Sequence, residues 1–388
     1  MTFILIFLVV EFLLIFLVIF LKKNFKWIIN DSDEVPHFNK KALKKFFNNS
    51  FDYELGWVRK PLSNGIEKGK NKIIHFEIDK YGSRKSILDS SKASIVSIGD
   101  SYTFCRQVED NETWQNHLAE VSGNAVLNYG VGNYGIDQAI IRLNKVHLPI
   151  DCKYAILGFV PETISRIQSY WKHYLEFGNT FAFKPKFELK NEKLKLIPQY
   201  IDTFEKYSSL KSNLKYIKSN DRFYNDKFLK LKFKFPYSFV FFRNLKHYSY
   251  IFYNLLRFGL YKKKHIYNKI FNKIVRQNLI DSQKLYLEKK STDLLLSLIN
   301  LFETTCKKKK IKPVILVMPQ LHDLKSTSMN HSVFFSNLKS DSLVVDMSEV
   351  FKTKQIEKLY IDDFYGGHLS NYANKLVSEA LFKKLDLK

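Results

Sequence analysis

The sequence predicts an α/β protein in which a mostly parallel sheet lies between two layers of helices. Short apolar runs rich in Ile and Val alternate along most of the chain with helix-length amphipathic segments. This alternation is typical of parallel sheets. Two of the runs end in tight turns, at residues 99–101 and 130–135. Because ligands of open α/β sheets bind at the carboxyl ends of strands, these turns are the first place to look for a site.

Each predicted element has a local justification. The strands are Ile- and Val-rich runs bounded by Gly or Pro. Asp110 or Asn111 can cap the first long helix, Gly123 can close it, and Ser370 can cap the last helix. In order, the predicted elements are a strand over residues 93–98, a helix over 112–121, strands over 125–129 and 154–160, a helix over 279–310, a strand over 312–319, a helix over 330–338, a strand over 342–347 and a helix over 371–385.

The N-terminus has the composition of a membrane anchor. Residues 2–21 are apolar except for Glu11, and about 20 such residues cross a hydrocarbon core of about 30 Å. Lys22, Lys23 and Lys26 follow, without a basic region before the run or a small-residue cleavage site after it. We therefore expect an uncleaved single-pass anchor, with a cleaved signal peptide or a buried helix as the alternatives. Since a charge in lipid is costly, Glu11 should be protonated, paired, or in contact with a membrane partner.

A short entry element is predicted between the anchor and the sheet. Residues 55–58 and 73–78 have strand composition, with a turn signal at residues 63–65 between them. The run Tyr-Gly-Ser-Arg at residues 81–84 follows.

A basic segment interrupts the α/β pattern. The net charge of the chain is +24, and residues 206–276 contain 18 Lys and Arg against 2 acidic residues. Phe, Tyr and Leu are interleaved with these lysines, which predicts a helical insertion suited to the interface of an anionic bilayer. A lid or packing subdomain with solvated lysines is the alternative. No nucleic-acid motif is present, so nucleic acid is not an expected partner.

The chain therefore divides into five predicted parts: a transmembrane anchor at residues 1–22, a linker and entry element at 23–92, the first half of the α/β domain at 93–200, the basic insertion at 201–280 and the second half of the domain at 281–388. The three cysteines, Cys105, Cys152 and Cys306, are scattered without metal spacing and are expected to be free thiols. No metal or other cofactor is expected.

Three short motifs resemble the blocks of the SGNH (GDSL-type) hydrolase family. Residues 99–102, Gly-Asp-Ser-Tyr, resemble its first block, and residues 128–135, Asn-Tyr-Gly-Val-Gly-Asn-Tyr-Gly, resemble its second. His368, just before the last helix, resembles its final block. Residues 81–84 also resemble the lead-in found in anchored members, although a purely structural hairpin is equally expected. The resemblance implies a three-layer, flavodoxin-like fold.

The same resemblance implies a site. Ser101 would be the nucleophile and His368 its general base, oriented by Asp363 or, as an alternative, Asp362. If neither aspartate does so, the pair would work as a Ser-His dyad or a backbone carbonyl would replace the acid. The backbone N–H groups of Ser101 and Asn133 would form the oxyanion hole. The substrate expected from the family is an ester, most plausibly an O-acetyl group on a carbohydrate, cleaved or transferred through an acyl-enzyme.

Two motifs depart from the family pattern. Where the third block would place the oxyanion asparagine and its aspartate, the chain has Glu162 and Thr163, and Tyr365 occupies the usual position of the triad aspartate. Arg166 follows closely and would either bind an anionic group of the substrate or form a structural ion pair. Asn133 is either a compensating donor or a turn asparagine in the left-handed conformation.

Three classes of function remain open from the sequence. The first is a membrane-anchored esterase or acyltransferase. The second is an inactive glycan-binding or envelope-assembly protein of the same fold, which predicts that His368 lies far from Ser101. The third is a membrane-surface scaffold that uses the basic insertion. Aromatic residues between 169 and 187 would stack on sugars or pack in the core. The positive-inside rule favours a cytoplasmic domain and the resemblance favours the other side, so the side is left open.

Overall fold

The computed structural model describes residues 2–22, 38–69, 71–176, 178–261, 264–326, 328–362, 367–385 and 387. The elements before the sheet are α1 (Thr2–Lys22), α2 (Lys40–Asn49), β1 (Phe51–Asp52), β2 (Gly56–Trp57), β3 (Asn64–Lys68) and β4 (Ile73–Glu77). The first half of the domain contains β5 (Ile95–Gly99), α3 (Ser101–Phe104), α4 (Trp114–Ser122), β6 (Val126–Gly130), α5 (Ile136–Leu143), β7 (Tyr154–Phe159), α6 (Thr163–Arg166), α7 (Lys172–Leu175), β8 (Lys186–Lys190) and β9 (Lys193–Ile197).

The second half of the chain begins with the helices of the insertion. These are α8 (Phe204–Ser208), α9 (Leu210–Asn220), α10 (Tyr237–Arg243), α11 (Leu245–Tyr261) and α12 (Lys264–Leu285). The α/β pattern resumes with α13 (Lys289–Lys308), β10 (Lys312–Val317), α14 (Leu321–Leu324), α15 (Asn330–Ser336), β11 (Leu343–Asp346), α16 (Ser348–Lys352), α17 (Ile356–Leu359) and α18 (Asn371–Lys384).

Five strands form one parallel sheet in the order β11-β10-β7-β5-β6. The chain runs outward from β5 to β6 on one side and then crosses to β7 on the other. The strand order therefore reverses between β5 and β7, which creates the crevice where ligands of such sheets bind. The predicted α/β fold with a mostly parallel sheet is confirmed.

Both faces of the sheet are covered by helices. Val96 and Ile98 pack in the cluster that includes residues of α5 and α13, whereas Ile95 packs with residues of α4 and α18. Strand side chains alternate between faces, and here both faces are apolar, as expected for strands buried on both sides. The three-layer arrangement is therefore confirmed.

Three local predictions from the sequence are wrong, and the structure corrects them. The cap of α4 is Thr113, whose hydroxyl accepts a hydrogen bond from Asn116 N at 3.2 Å. The long helix predicted over 279–310 is two helices, α12 and α13, and the buried Tyr286 hydroxyl between them donates to Pro161 O at 2.7 Å. The turn predicted at residues 63–65 is instead the start of β3, because Gly65 pairs with Phe76 of β4.

The N-terminal helix is docked on the insertion. Helix α1 has a stretch of mean hydropathy 3.3 over Thr2–Phe20, long and apolar enough to cross a membrane, and it is the one such helix among the described residues. The carboxylate of Glu11 accepts hydrogen bonds from the backbone N of Tyr237 (2.6 Å) and Ser238 (2.9 Å) at the start of α10. Of the expectations for Glu11, the structure shows a paired acid, with its partner inside this chain.

All three cysteines are free and buried. Burial raises the pKa of the Cys105 and Cys306 thiols to about 12 and that of Cys152 to about 11. Since the thiolate is the reactive form, these side chains are chemically inert.

Candidate active site

Ser101 occupies the turn between β5 and α3, at the carboxyl edge of the sheet beside the reversal of strand order. The turn requires a glycine before it. Gly99 has φ +153°, and a Cβ atom there would lie 1.8 Å from the carbonyl oxygen of Gly158 on the neighbouring strand. This close approach places Ser101 as the first residue of α3, with 7% of its surface exposed.

Asp100 joins this turn to the segment after β7. One carboxylate oxygen accepts a hydrogen bond from Tyr102 N at 2.8 Å and thereby caps α3. The other accepts from Val160 N at 3.0 Å and from Arg166 Nη1 at 3.2 Å. The orientation of Ser101 therefore depends on two neighbouring strands.

Arg166 is buried between carboxylates of the protein. Besides Asp100, its guanidinium donates to Glu162 at 2.5 Å and to the carbonyl oxygen of Tyr134 at 3.3 Å. Burial alone would lower the pKa of Arg166, but the carboxylates of Glu162 and Asp100 raise it overall, so the group stays charged. The contacts are those of the structural ion pair that the sequence left open. A substrate-binding role for Arg166 has no supporting contact and stays a prediction.

The third-block residues also have structural partners. The hydroxyl of Thr163 accepts a hydrogen bond from Ile136 N at 3.1 Å, at the start of α5. Glu162 is buried and paired with Arg166. The position where the resemblance would place an oxyanion donor is thus occupied by a carboxylate that supports the Asp100–Arg166 pair.

His368 lies in the loop that enters α18. Its carbonyl oxygen accepts a hydrogen bond from Ile361 N at 2.9 Å, and Gly367 before it has φ +78°, which favours glycine. The hydroxyl of Tyr102 donates to the carbonyl oxygen of Gly367. The rings of Tyr102 and His368 have centroids 5.5 Å apart. The structure therefore brings His368 against the residue that follows Ser101, although 266 positions separate the two rings in sequence.

The environment of His368 favours the neutral imidazole. Burial, with the nearby positive charges of Arg106 and Arg166, holds its pKa well below the usual range. A neutral imidazole that reaches a serine hydroxyl can accept its proton; the contact shown for the ring of His368 is with Tyr102. Nδ1 of His368 is buried and has no hydrogen-bond partner among the residues that the structure describes.

These contacts do not show which acidic side chain orients His368. The carboxylate of Asp362 accepts a hydrogen bond from Gln107 Nε2 at 3.2 Å. Asp363, the preferred candidate, lies outside the described residues. Its role stays a prediction.

Asn133 lies in the glycine-rich turn after β6. Its φ of +70° is the left-handed conformation that asparagine tolerates, and its side chain is exposed. The turn is held by Trp57, whose Nε1 donates to Gly132 O at 3.0 Å. The backbone thus matches the turn-asparagine alternative, and the oxyanion role of Asn133 stays a prediction.

Arg84 is a positioning residue whose role the sequence did not reveal. It is 2% exposed and reaches the loop after α3, where it donates to Phe104 O (2.7 Å), Cys105 O (2.7 Å) and Val108 O (2.5 Å). Its Nε also donates to Asp110 at 2.6 Å. The available signal was the Tyr-Gly-Ser-Arg run, but a single arginine in a hairpin does not indicate what it contacts.

The β3–β4 hairpin makes a second contact that the sequence did not predict. Glu67 of β3 accepts hydrogen bonds from Arg106 Nε at 3.0 Å and from Gln107 N at 3.1 Å. This fixes Arg106 so that its charge acts on His368. The entry element is therefore part of the framework around the site.

The aromatic residues between 169 and 187 mostly pack inside the protein. Tyr170, Trp171, Tyr174 and Phe183 are each at most 2% exposed and share one apolar cluster. Of the two expectations for this segment, these four residues fit the packing role.

No protein-family model matches this chain. No curated protein matches it. Among solved structures, one similar chain is a protein from Desulfitobacterium hafniense DCB-2, described as a lipolytic protein of the G-D-S-L family. The two share 11% identity with a TM-score of 0.34, over 74% of this chain and 97% of that one.

Proposed function

We propose that the protein is a membrane-anchored serine esterase or acyltransferase that acts on ester groups, most plausibly O-acetyl groups, of a carbohydrate. The observation that carries the proposal is the contact of Tyr102 with His368 and Gly367. It couples the histidine loop to the turn that presents Ser101.

In the proposed reaction, Ser101 Oγ attacks the ester carbonyl and His368 takes its proton. The tetrahedral oxyanion is held by backbone donors at Ser101 and Asn133. When the intermediate collapses, the sugar oxygen leaves with the proton from His368, and the acyl group stays on Ser101. Water or a second sugar hydroxyl then gives its proton to His368 and attacks the acyl-serine. Collapse of this intermediate breaks the acyl–Oγ bond, and Ser101 recovers the proton from His368 as the free acid or the acylated sugar is released. Hydrolysis and acyl transfer differ only in this last nucleophile.

The direct test is labelling of the detergent-solubilised full chain with a fluorophosphonate probe, which reacts with activated serines. We expect the wild type to label and Ser101→Ala and His368→Ala to lose the label. Ser97→Ala is a matched control, because Ser97 lies on β5, the strand that leads into the turn at Ser101, but its hydroxyl donates to Leu127 O at 2.8 Å. Absence of labelling in a folded wild type would reject the enzyme.

The second candidate is a glycan-binding or assembly protein without catalysis. The specific observation that favours it is the carboxylate of Glu162 in the third block, where an oxyanion donor is absent. This candidate predicts binding of an acylated glycan that is the same for the wild type and Ser101→Ala, with no acyl-enzyme in either.

A further inference from the structure

Arg106 lies beside both turns of the candidate site. Its backbone N donates a hydrogen bond to Ser101 O at 3.1 Å. Its side chain passes the glycine-rich turn after β6, where a Cβ atom built on Gly132 would lie 4.0 Å from Arg106 Cδ. The next residue, Asn133, is the proposed oxyanion donor. Arg106 therefore lies between the turn of the proposed nucleophile and the turn proposed to hold the oxyanion, and the proposed reaction steps leave its guanidinium unused.

Glu67 holds one side of this guanidinium. Arg106 Nε donates to the two carboxylate oxygens of Glu67 at 3.0 and 3.1 Å. The Glu67 side chain is 7% exposed, whereas that of Arg106 is 34% exposed. Among the described residues, none accepts a hydrogen bond from Nη1 or Nη2 of Arg106. The two Nη groups are therefore available to a ligand, and such a pair can bind a carboxylate or a phosphate through two parallel N–H bonds.

The carboxylate of Glu67 is shared by two arginines. Arg59 Nη2 lies 3.4 Å from Glu67 Oε1, the oxygen that also accepts from Arg106. Arg84, a third arginine of this region, has its own partner, since its Nε lies 2.6 Å from Asp110 Oδ1. Two guanidinium groups thus share one carboxylate. The positive charge that remains favours an anionic ligand.

Asp362 in the histidine loop does not pair with Arg106. Its carboxylate accepts a hydrogen bond from Gln107 Nε2 at 3.2 Å, and no ion pair joins Asp362 to Arg106 in the described part of the chain. The charges of described residues that act on His368 are those of Arg106 and Arg166, and both are positive. Because Arg166 is buried between carboxylates of the protein, Arg106 is the cation that presents unused donors beside the histidine.

We propose that Arg106 binds an anionic group, a carboxylate or a phosphate, of the carbohydrate that carries the ester. Such a role rests on the proposed function and narrows the substrate class to acidic acylated carbohydrates. With Nε held by Glu67, both Nη groups would bind the anion while the ester carbonyl lies at Ser101. A neutral sugar would leave these donors to water, so Arg106 selects among esters and takes no part in proton transfer.

The test separates binding from chemistry by using the detergent-solubilised full chain with Ser101→Ala. Isothermal titration calorimetry compares three sugars that differ only at C6: the 3-O-acetyl derivatives of methyl galactoside, methyl galacturonoside and methyl galactoside 6-phosphate. We expect at least one acidic sugar to bind about tenfold more tightly than the neutral one, because charge-assisted bidentate pairs are strong. The carboxylate and phosphate arms show which anion is preferred. Addition of Arg106→Gln should abolish the preference, and Arg106→Lys, which keeps the charge without the planar fork, should keep only part of it.

Arg276→Gln is the matched control, because it removes an exposed arginine from α12 in the insertion. In the Ser101→Ala background it should keep the full preference for the acidic sugar. Equal binding of the acidic and neutral sugars would overturn the proposal. Equal loss of the preference in Arg106→Gln and Arg276→Gln would also overturn it, because it would show an effect of net charge.

Fluorophosphonate labelling of the wild type distinguishes this failure from a failure of the proposed function. A chain that labels at Ser101 but shows no preference for acidic sugars would remain an esterase and would overturn the role of Arg106. A chain that does not label but prefers acidic sugars would reject the esterase and support the binding role of Arg106, in line with the glycan-binding candidate.

Discussion

Tyr102 connects the turn that carries Ser101 to the loop that carries His368. Its backbone N–H is bound by Asp100, and its hydroxyl and ring contact Gly367 and His368. Neighbouring residues of α3 thus carry the proposed nucleophile and contact the proposed base. A short resemblance of four residues indicated Ser101, but it carried no information about the residue that positions the histidine.

At the scale of single residues, the protonation of His368 predicts how the labelling of Ser101 depends on pH. Its pKa in the folded protein is lowered by burial and by the charges of Arg106 and Arg166. Since the base works only when neutral, labelling of Ser101 should stay at its full rate as the pH falls from 7.5 to about 6.5, the ordinary histidine pKa, and decline only below it. The rate of fluorophosphonate labelling against pH measures this.

Arg106→Gln provides the matched variant for this measurement. It removes one positive charge near His368, so the pKa of the imidazole should rise and the acid limb should move to higher pH. An unchanged limb, or one that moves to lower pH, would contradict the assignment of that limb to His368.

At the scale of elements, the loop after α3 depends on a side chain from the entry element. Arg84 binds three carbonyl oxygens of that loop and the carboxylate of Asp110. A helix of four residues cannot be stable by itself, since isolated helices need roughly 12–15 residues. The conformation of α3 is therefore fixed by Asp100 at its start and by Arg84 beyond its end.

We predict that Arg84→Met lowers the free energy of unfolding by about 3–5 kcal/mol, because it leaves buried carbonyls and a carboxylate without their partner. Denaturant unfolding of the full chain in detergent measures the loss. Lys85→Met is the control, since the Lys85–Glu77 pair is exposed and should contribute little. A similar loss in both variants would show that Arg84 has no special role.

The sequence could predict the elements better than their contacts. The alternation of Ile- and Val-rich runs with amphipathic helices was sufficient for the parallel sheet, and Gly99 and Ser370 marked a turn and a cap. The pattern could not locate the break between α12 and α13, because the amphipathic spacing continues across it. It could not choose between the two roles of Arg166 either, since its partner Asp100 is 66 residues away.

At the scale of the whole molecule, the N-terminal helix α1 packs as part of the folded protein. Glu11 caps α10, and Leu14, Leu17 and Val18 pack in the apolar cluster of the insertion. From the sequence Glu11 was only a costly residue, because its partners are more than 220 positions away. The structure supplies a partner that compensates for part of that cost.

We predict that Glu11→Leu loosens α10. The amides of Tyr237 and Ser238 lose their acceptor, so hydrogen–deuterium exchange of the peptide over Tyr237–Arg243 should become faster. Loss of a cap of this kind costs about 0.5–2 kcal/mol, which corresponds to roughly a 2- to 30-fold change in exchange. Leu13→Ala is the control, because Leu13 is 60% exposed on the other side of α1. Equal exchange in the two variants would show that Glu11 does not hold α10.

The three buried thiols have a practical consequence for the whole molecule. Because every cysteine is buried and burial raises the pKa of its thiol, the folded protein should react very slowly with maleimide reagents. A single cysteine introduced at the fully exposed Ile150 would then be the one reactive thiol on the domain. Whether a membrane-impermeant maleimide reaches it in intact cells reports the compartment of the domain without removal of any native cysteine.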